Sequence, residues 1–298
     1  MGIILSIFSA ILWSLFDVVR KKAVQNNPAL GVIFVIILSQ FIFFFCSLLM
    51  SDLQINLRAY FFFGLILIFL NILSIYLFLL VLKSGKISIY IPMLSFTPFF
   101  SAVYSRIILN EQLEFIQYLG MFFIILGSLA LYGSQFKFQN NLAMLYTLLR
   151  NKNLLFILIV SLIWSLTPVL DKECLKYTDV YLHGFLQALG MLVVFPLILY
   201  GKKQSMIKIK RKMNIDSIFL LIIILGFLTT LIQLIALKFV YVAELESLKR
   251  GIGIVLSLFF GFYLFKEEVN LKKILAVFII VCGVSLIIEF TKLPNLQL

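Results

Sequence analysis

A cluster of charged residues lies inside a long apolar segment near the end of the chain. Glu246, Lys249 and Arg250 are surrounded by hydrophobic residues, and Glu244 precedes them. On a helix, Glu246 would lie one turn before Lys249 and Arg250, so the three side chains would share one face. A charge at the centre of a bilayer costs about 2.5 kcal/mol or more, so charges at this depth usually mark a functional site. Lys249 or Arg250 could hold the carboxylate or phosphate of a substrate.

Two structural explanations of this cluster remain open. Glu246 could neutralise one of the two cations in a buried ion pair that holds helices together. Alternatively, the segment could begin in the headgroup region, where long basic side chains reach water. We predict Lys249 and Arg250 as substrate-binding residues and Glu246 as an ion-coupling residue.

Asp17 is a further charged residue within an apolar segment. It lies four residues after Trp13 and therefore on the same helix face. Its carboxylate could carry a proton during transport, or it could be the counter-ion of Lys249 or Arg250. It could also pair with Lys21, one turn later, or lie close to the membrane interface. We predict Asp17 as an ion-coupling residue.

The two tryptophans of the chain begin a pattern that occurs twice. Trp13 and Trp164 are each followed directly by Ser and, eight positions after the tryptophan, by Lys. Their rings could stack on a substrate ring or a cation, or they could be interface anchors or packing residues of a duplicated fold. Asp171, which directly precedes the second lysine, is expected to be interfacial.

Prolines and hydroxyl groups give two other segments the composition of bent helices. A proline removes a backbone hydrogen bond, and the carbonyl that it releases can face a water-filled cavity. One such segment contains Tyr90, Ser95 and Pro98, and the other contains Thr167 and Pro168. The predicted substrate-binding residues are therefore Trp13, Tyr90, Ser95, Trp164, Thr167, Lys249 and Arg250.

The composition shows which elements position these residues. The chain has 298 residues, of which 63% are hydrophobic and 13% are charged, and its mean hydropathy is +1.13. Apolar runs of about 20 residues recur along its length, which predicts an all-α polytopic membrane protein. A transmembrane barrel would show short alternating segments instead. The net charge of +12 comes from residues between apolar runs, so we expect a lipid bilayer and no nucleic acid as partner.

We predict ten membrane spans with short connections. The spans are residues 2–20, 30–50, 59–82, 87–108, 114–134, 154–172, 178–200, 216–238, 243–265 and 270–290. The predicted domains are a first five-helix repeat at 1–136, a linker at 137–153 and a second five-helix repeat at 154–298. The longest connections are 135–153 and 201–215, and the tail after Glu289 is too short to fold.

A second repeated feature supports the duplication. Glu111 precedes Gly127 by the same number of residues as Glu267 precedes Gly283. An odd number of spans in each repeat places the two copies in opposite orientations across the membrane, which is the architecture of many secondary transporters. Glycines in the repeated helix, such as Gly120, allow helices to approach closely.

The distribution of lysine and arginine predicts an orientation. Most of them, including Arg20 at the end of the first span and the basic run at 202–212, fall in connections on one side of the membrane. Positive residues favour the cytoplasmic side. This bias places both termini outside the cell.

The chain resembles members of the drug/metabolite transporter superfamily of the EamA-domain type. The resemblance covers nearly the whole chain and rests on three features: the Trp-Ser opening of each half with its later Lys; Pro98 followed by Asn110-Glu111 and the Gly120/Gly127 helix; and Phe265-Lys266-Glu267 followed by the Gly283 helix. The second half departs from the pattern because Ile254 lies where a proline would match Pro98.

The resemblance implies ten helices in two inverted halves around a central cavity. Helices one, three and four of each half would line the cavity, and access would alternate between the two sides. The resemblance also implies cytoplasmic termini, in conflict with the charge distribution. Members of the family carry amino acids, sugars, nucleotide conjugates and drugs, so it does not name the substrate.

The resulting functional hypothesis is a secondary transporter that exports a small polar or amphipathic metabolite, amino-acid-like or otherwise anionic, with protons as a possible coupling ion. Import through the same fold, an intramembrane enzyme and a lipid flippase subunit are the alternatives. No phosphate-binding loop is present in the sequence, and His183, the only histidine, has no neighbouring set of metal ligands. We therefore predict no enzyme activity, metal or cofactor, and a monomer or homodimer in the inner membrane of a bacterium.

Overall fold

The computed structural model of the protein describes residues 1–84, 94–132, 152–201, 213, 216–265 and 271–289. These residues form ten α-helices and a short 3-10 turn, Leu48–Met50, after the second helix. The helices are α1 (Gly2–Asn26), α2 (Ala29–Ser47), α3 (Leu57–Ser84), α4 (Thr97–Ile108), α5 (Phe115–Tyr132), α6 (Lys152–Cys174), α7 (Val180–Gly201), α8 (Ser217–Leu237), α9 (Val242–Phe265) and α10 (Leu271–Glu289). Most of the two long predicted connections, the Lys266-Glu267 step and the tail after Glu289 lie outside the described residues.

The length and composition of the helices confirm a polytopic membrane protein. Within the described part of the chain, seven helices are long and apolar enough to cross a membrane, namely α1, α2, α3, α6, α7, α8 and α10. The described α4 and α5 are shorter, at 12 and 18 residues. The helix α9 has 24 residues but carries the four charges Glu244, Glu246, Lys249 and Arg250. The 24 residues of α9 are enough to cross a bilayer, and its four charges all lie in its first half.

The packing of the helices confirms the inverted repeat. In the first half, α1 packs against α8 and α9 of the second half, and in the second half α6 packs against α3 and α4 of the first. The remaining cross-half pairs include α2 with α7 and α5 with α10, which are matching helices of the two copies. Exchanging the halves therefore leaves this pattern of contacts unchanged.

The crossing of α5 and α10 shows the symmetry in atomic detail. A Cβ atom built on Gly283 would lie 2.5 Å from the carbonyl oxygen of Gly120, and one built on Gly127 would lie 2.8 Å from that of Ala276. These two contacts are equivalent when the halves are exchanged, because Gly127 corresponds to Gly283 and Gly120 to Ala276. Glycine at these positions lets the two helices approach to a distance that no side chain permits.

The prolines of the two expected segments occupy different positions in their helices. Pro98 lies in the first turn of α4, so the helix begins there, within the predicted span 87–108. Pro168 lies inside α6, where it cannot donate a hydrogen bond to the carbonyl one turn earlier. Ser101 of α4 donates a hydrogen bond of 3.0 Å to the backbone oxygen of Ser165, which ties α4 to the centre of α6.

A buried ionic contact joins the two halves at the start of α9. Glu111, from the first half, accepts a hydrogen bond of 2.6 Å from Nζ of Lys172 and one of 2.9 Å from the backbone N–H of Val242. Lys172 also donates to the carbonyl oxygen of Val240 at 2.6 Å. Only 5% of the Glu111 side chain is exposed. The carboxylate thus caps the N-terminus of α9, where the helix dipole favours negative charge.

Candidate binding cavity

A cavity of about 570 Å³ lies between the two halves of the protein. Its walls come from α1, α2, α3, α6, α7, α8 and α9. The resemblance implied the fourth span, residues 87–108, as a lining segment, and Leu94 of that span lines the cavity. Residues of α2 and α7, which the resemblance did not imply, also line it. Six of the residues predicted from the sequence line the cavity: Trp13, Asp17, Trp164, Thr167, Lys249 and Arg250.

The two basic residues of α9 share one carboxylate. Nζ of Lys249 lies 2.6 Å from Oε1 of Glu246 and 2.7 Å from Oε1 of Gln233. The guanidinium of Arg250 lies 3.9 Å from Oε2 of Glu246, beyond hydrogen-bond distance. Glu246 is fully buried and lies behind the cavity wall. Glu246 is therefore the counter-ion of both cations, and Arg250 is the less well compensated of the two.

The tryptophan rings form the faces against which these cations lie. The Trp13 ring centroid is 5.0 Å from Nζ of Lys249, and the Trp164 ring centroid is 5.4 Å from the guanidinium carbon of Arg250. Both distances are within the range of cation–π attraction. The stacking partner that the sequence suggested for the tryptophans is thus present in the protein itself.

Arg20 is a further cation of the cavity, which Lys21 also lines, and sequence reasoning missed Arg20 as a cavity residue. The residue is only 2% exposed and forms an ion pair with Asp17. Its guanidinium lies over four rings, 4.4 Å from Phe16, 5.0 Å from Phe78, 5.4 Å from Trp13 and 5.9 Å from Trp164.

The structure corrects the expected end of the first span. The predicted first span ended at residue 20, which made Arg20 a flanking basic residue, whereas α1 continues to Asn26 and keeps Arg20 inside the protein. Asp17 forms its ion pair with Arg20, and its charge also acts on Lys249 and Arg250. The available signal was the spacing, because Arg20 lies seven residues after Trp13 and so returns to the same face of α1.

The charges at this end of the cavity are not balanced. Arg20, Lys249 and Arg250, here called the cationic cluster, face two carboxylates, those of Asp17 and Glu246. The Nε atoms of Arg20 and Arg250 are buried and have no hydrogen-bond partner among the described residues. The cluster thus retains one positive charge and guanidinium donors that an anionic group could satisfy.

A second polar group occupies another part of the cavity wall. Nε2 of His183 lies 3.1 Å from Oδ1 of Asp171, and Nδ1 of His183 lies 3.0 Å from the hydroxyl of Tyr60. Gln187 donates to the same hydroxyl at 3.1 Å. The sequence predicted an interfacial Asp171, but the residue is 8% exposed and lines the cavity. Its burial depends on α7, whose contact with α6 the sequence does not reveal.

The remaining predicted residues lie elsewhere. Tyr90 is outside the described residues. Ser95 is fully buried and does not line the cavity. Within the described ranges there is no group of three His, Cys, Asp or Glu side chains that could hold a metal ion.

Comparison with known proteins identifies the family. The profile of the EamA-like transporter family matches residues 1–133 and 151–289, and the chain belongs to that family. A search of curated proteins finds no match. Among solved structures, one described only as the crystal structure of a protein matches with a TM-score of 0.74 and 13% sequence identity, over 96% of this chain and 98% of its own. At that identity the match shows the fold alone.

Proposed function

We propose that this member of the EamA-like transporter family is a secondary transporter of a small anionic, amphipathic solute, which it moves by alternating access. The observation that supports an anion is the cationic cluster, in which Arg20, Lys249 and Arg250 face only two carboxylates. The observation that supports an apolar part of the solute is the wall itself, where Trp13 and Trp164 line the same cavity.

Arg250 is the residue that we assign to direct contact with the anion. Its nearest carboxylate oxygen is 3.9 Å away, and 13% of its side chain is exposed. Lys249, by contrast, already has two oxygen partners within hydrogen-bond distance. A carboxylate or phosphate placed beside Arg250 would gain charge-assisted hydrogen bonds that none of the residues described by the structure supplies.

The size and position of the cavity support transport over the alternatives. A cavity of about 570 Å³ falls within the range of small-molecule sites, and its polar lining disfavours a flippase subunit with a dry apolar centre. The cavity lies between halves related by inversion, so that a rocking motion of one half against the other would expose it to each side in turn.

Export is the direction that we propose, on the basis of the sequence resemblance. A secondary transporter works in the direction of its gradients, so the same cavity serves import when the gradients are reversed. The ionic contact between Glu111 and Lys172 joins the halves on one side of the cavity, and in our proposal it breaks and reforms in each transport cycle.

Untargeted metabolite profiling of cells and medium tests this function. The wild-type protein, Arg250→Gln and the control Lys272→Gln would each be overproduced at matched membrane levels. Lys272 is an exposed residue at the start of α10 and does not line the cavity, so the control removes the same charge elsewhere. We expect a solute that carries an anionic group and whose distribution between cells and medium changes with the wild type and the control but not with Arg250→Gln.

Either of two results would count against the proposal. If Arg250→Gln redistributes the same solute as the wild type does, the assignment of Arg250 is wrong. If the redistributed solutes carry only positive charge, the anionic substrate class is wrong as well. The direction of the change in the medium distinguishes export from import.

A further inference from the structure

We propose that the cavity contains a second subsite, formed by Asp171 and Gln187, which binds a cationic ammonium group at the far end of the same solute. The inference rests on the proposed function and extends it to a substrate class. The solute would be an elongated zwitterion, with its anionic group at the cationic cluster and its ammonium group at Asp171.

The carboxylate of Asp171 faces the cavity and has one oxygen available to a ligand. It lines the cavity, and 12% of its side chain is exposed. Its Oδ1 lies 3.1 Å from Nε2 of His183, while Oδ2 has no hydrogen-bond partner among the residues that the structure describes. The ion pairs of the neighbouring Lys172 go to Glu111, so no lysine or arginine of the described chain neutralises Asp171.

The hydrogen bonds around His183 keep Asp171 an acceptor. Gln187 donates from Nε2 to the Tyr60 hydroxyl and to the carbonyl oxygen of Gly64, each at 3.1 Å. Since the Tyr60 oxygen accepts from Gln187, we infer that its hydroxyl donates a hydrogen bond to Nδ1 of His183. In that tautomer the Nε2–H of His183 donates to the carboxylate of Asp171. In this hydrogen-bond network the donors of Gln187, Tyr60 and His183 are all used by acceptors of the protein. A ligand could therefore supply the donors for the acceptors that remain.

Gln187 supplies a second acceptor of the subsite. The residue lines the cavity and is 6% exposed. Its Oε1 is buried and has no hydrogen-bond partner within the described ranges. A buried acceptor without a hydrogen-bond partner is unfavourable, and an ammonium group has three donors with which to satisfy such acceptors. The Asp171 carboxylate and this amide oxygen belong to residues that line the same cavity, and together they favour an ammonium group over a second anion.

The cationic cluster and Asp171, here called the two poles of the cavity, lie apart because of the inverted repeat. Arg20 and Asp171 are each seven residues after the tryptophan of their own half, so equivalent positions carry opposite charges. The guanidinium of Arg20 reaches both tryptophan rings, whereas Asp171 lies seven residues along α6 from Trp164, a rise of about 10 Å. An α-amino acid, whose two charges are on neighbouring groups, is too short to reach both poles.

Binding to the purified full-length protein tests the inference with four probes. ε-Aminocaproate and caproate have the same chain length and differ in the ammonium group, and γ-aminobutyrate and butyrate form a shorter pair. Affinities would be measured by calorimetry in a sodium-free buffer. We expect ε-aminocaproate to bind at least about tenfold more tightly than caproate, because an ammonium group gains charge-assisted hydrogen bonds, and no such preference in the shorter pair.

Two variants place the effect at Asp171. In Asp171→Asn, the affinity for ε-aminocaproate should fall to that for caproate, while caproate binding is unchanged. The control is Glu173→Gln, since Glu173 is on the same helix end, pairs with Lys176 and Tyr177, and does not line the cavity. The control should keep the full preference. Unchanged caproate binding in Asp171→Asn also shows that the variant is folded.

The remaining outcomes separate this inference from the proposed function. If caproate binds but ε-aminocaproate binds no better, the second subsite is wrong and the anion site stands. If added sodium raises caproate affinity in the wild type but not in Asp171→Asn, Asp171 binds a separate cation and the zwitterion is wrong. If neither carboxylate binds, both the anion site and the subsite that rests on it are wrong.

Discussion

Arg20 shows how a single charged side chain can be held deep inside a membrane protein. Its guanidinium is enclosed by four aromatic rings and has one carboxylate partner, Asp17, whose side chain is 39% exposed. The two partners of this ion pair are therefore unequal. The carboxylate can be hydrated from the cavity, whereas the guanidinium depends on its protein partners.

The difference in exposure between Arg20 and Asp17 predicts that the loss of Asp17 destabilises the protein more than the loss of Arg20. Asp17→Asn leaves a buried cation without its counter-charge and should cost about 2 kcal/mol or more. Arg20→Met leaves a carboxylate that water can reach and places a thioether among aromatic rings, so it should cost less than about 1 kcal/mol. Thermal unfolding of the purified variants measures both effects.

The double variant makes the test decisive. Adding Arg20→Met to Asp17→Asn removes the uncompensated charge, so the double variant should be more stable than Asp17→Asn alone. A double variant that is less stable than Asp17→Asn would show that Arg20 stabilises the fold without its counter-ion.

The sequence identified the charged residues of α9 and both tryptophans because intramembrane charge and a repeated motif are local signals. It did not identify Arg20 or Asp171 as cavity residues. Each stands directly before a lysine at the end of an apolar run, which is typical of a membrane interface. Their burial depends on the neighbouring helices α3 and α7, and therefore on tertiary structure that no local pattern contains.

Among the helices, α5 and α10 form the tightest contact between the two copies. The backbone of each helix occupies the space where the other would place a side chain, at Gly120 and Gly283. The sequence predicted close helix contacts at these glycines, and the structure confirms them. What the sequence did not show is that the two glycines face each other.

Gly283→Ala should therefore destabilise the protein. The new Cβ would lie 2.5 Å from the carbonyl oxygen of Gly120 and 3.0 Å from the backbone nitrogen of Ile124, so the helices must move apart, at a cost of about 1–3 kcal/mol. Gly226→Ala is the matched control, because its nearest neighbour is a ring atom of Phe16 at 3.5 Å. Equal unfolding temperatures for the two variants would contradict this account of the crossing.

The start of α9 depends on a contact from the other half of the protein. Glu111 accepts hydrogen bonds from Lys172 and from the first turn of α9. Beside it, Glu244 accepts a hydrogen bond from the N–H of Tyr241 and another from Gln117 of α5. The helix that carries Lys249 and Arg250 is thus anchored at its N-terminus by carboxylates, one of them from the first half.

A double-mutant cycle measures the strength of this anchor. Glu111→Gln, Lys172→Met and the double variant should give a coupling energy of about 2 kcal/mol in unfolding experiments. The pair Glu173 and Lys176 provides the comparison, since Lys176 is 50% exposed, and its coupling should be below about 0.5 kcal/mol. Tyr177 donates a hydrogen bond to Glu173, which raises the pKa of Tyr177. Both cycles are measured at neutral pH, where Tyr177 keeps its proton and therefore this hydrogen bond. Similar couplings in the two cycles would show that the Glu111 contact adds no more than a surface pair does.

For the molecule as a whole, the sequence predicted the architecture better than the site. Ten spans, the duplication and the inversion all follow from apolar run length, repeated spacing and an odd number of helices, and the structure confirms each of them. The helices that line the cavity were predicted less well, because the contributions of α2 and α7 depend on how the two halves pack.

Orientation is the property on which the charge distribution and the family resemblance disagree. Single cysteines at positions 202 and 292, in a background without Cys46, Cys174 and Cys282, would be labelled with a membrane-impermeant reagent in intact cells. The excess of positive charge in the connection between α7 and α8 predicts that position 202 is protected and position 292 is labelled. The reverse pattern would show that the termini are cytoplasmic.

Tryptophan fluorescence can measure whether the cavity attracts anions. Trp13 and Trp164 are the only tryptophans of the chain, and both line the cavity beside the cationic cluster. Quenching of their emission by iodide and by caesium, in the purified protein at constant ionic strength, compares the access of an anion with that of a cation. The control Lys272→Gln separates local charge from net charge.

We predict that iodide, relative to its quenching of free tryptophan, quenches this emission more strongly than caesium does on the same scale, that Arg250→Gln reduces the difference, and that Lys272→Gln preserves it. Caproate should protect the tryptophans from iodide in the wild type, because it would occupy the same site. Equal quenching by the two ions, or stronger quenching by caesium, would contradict an anion-binding cavity.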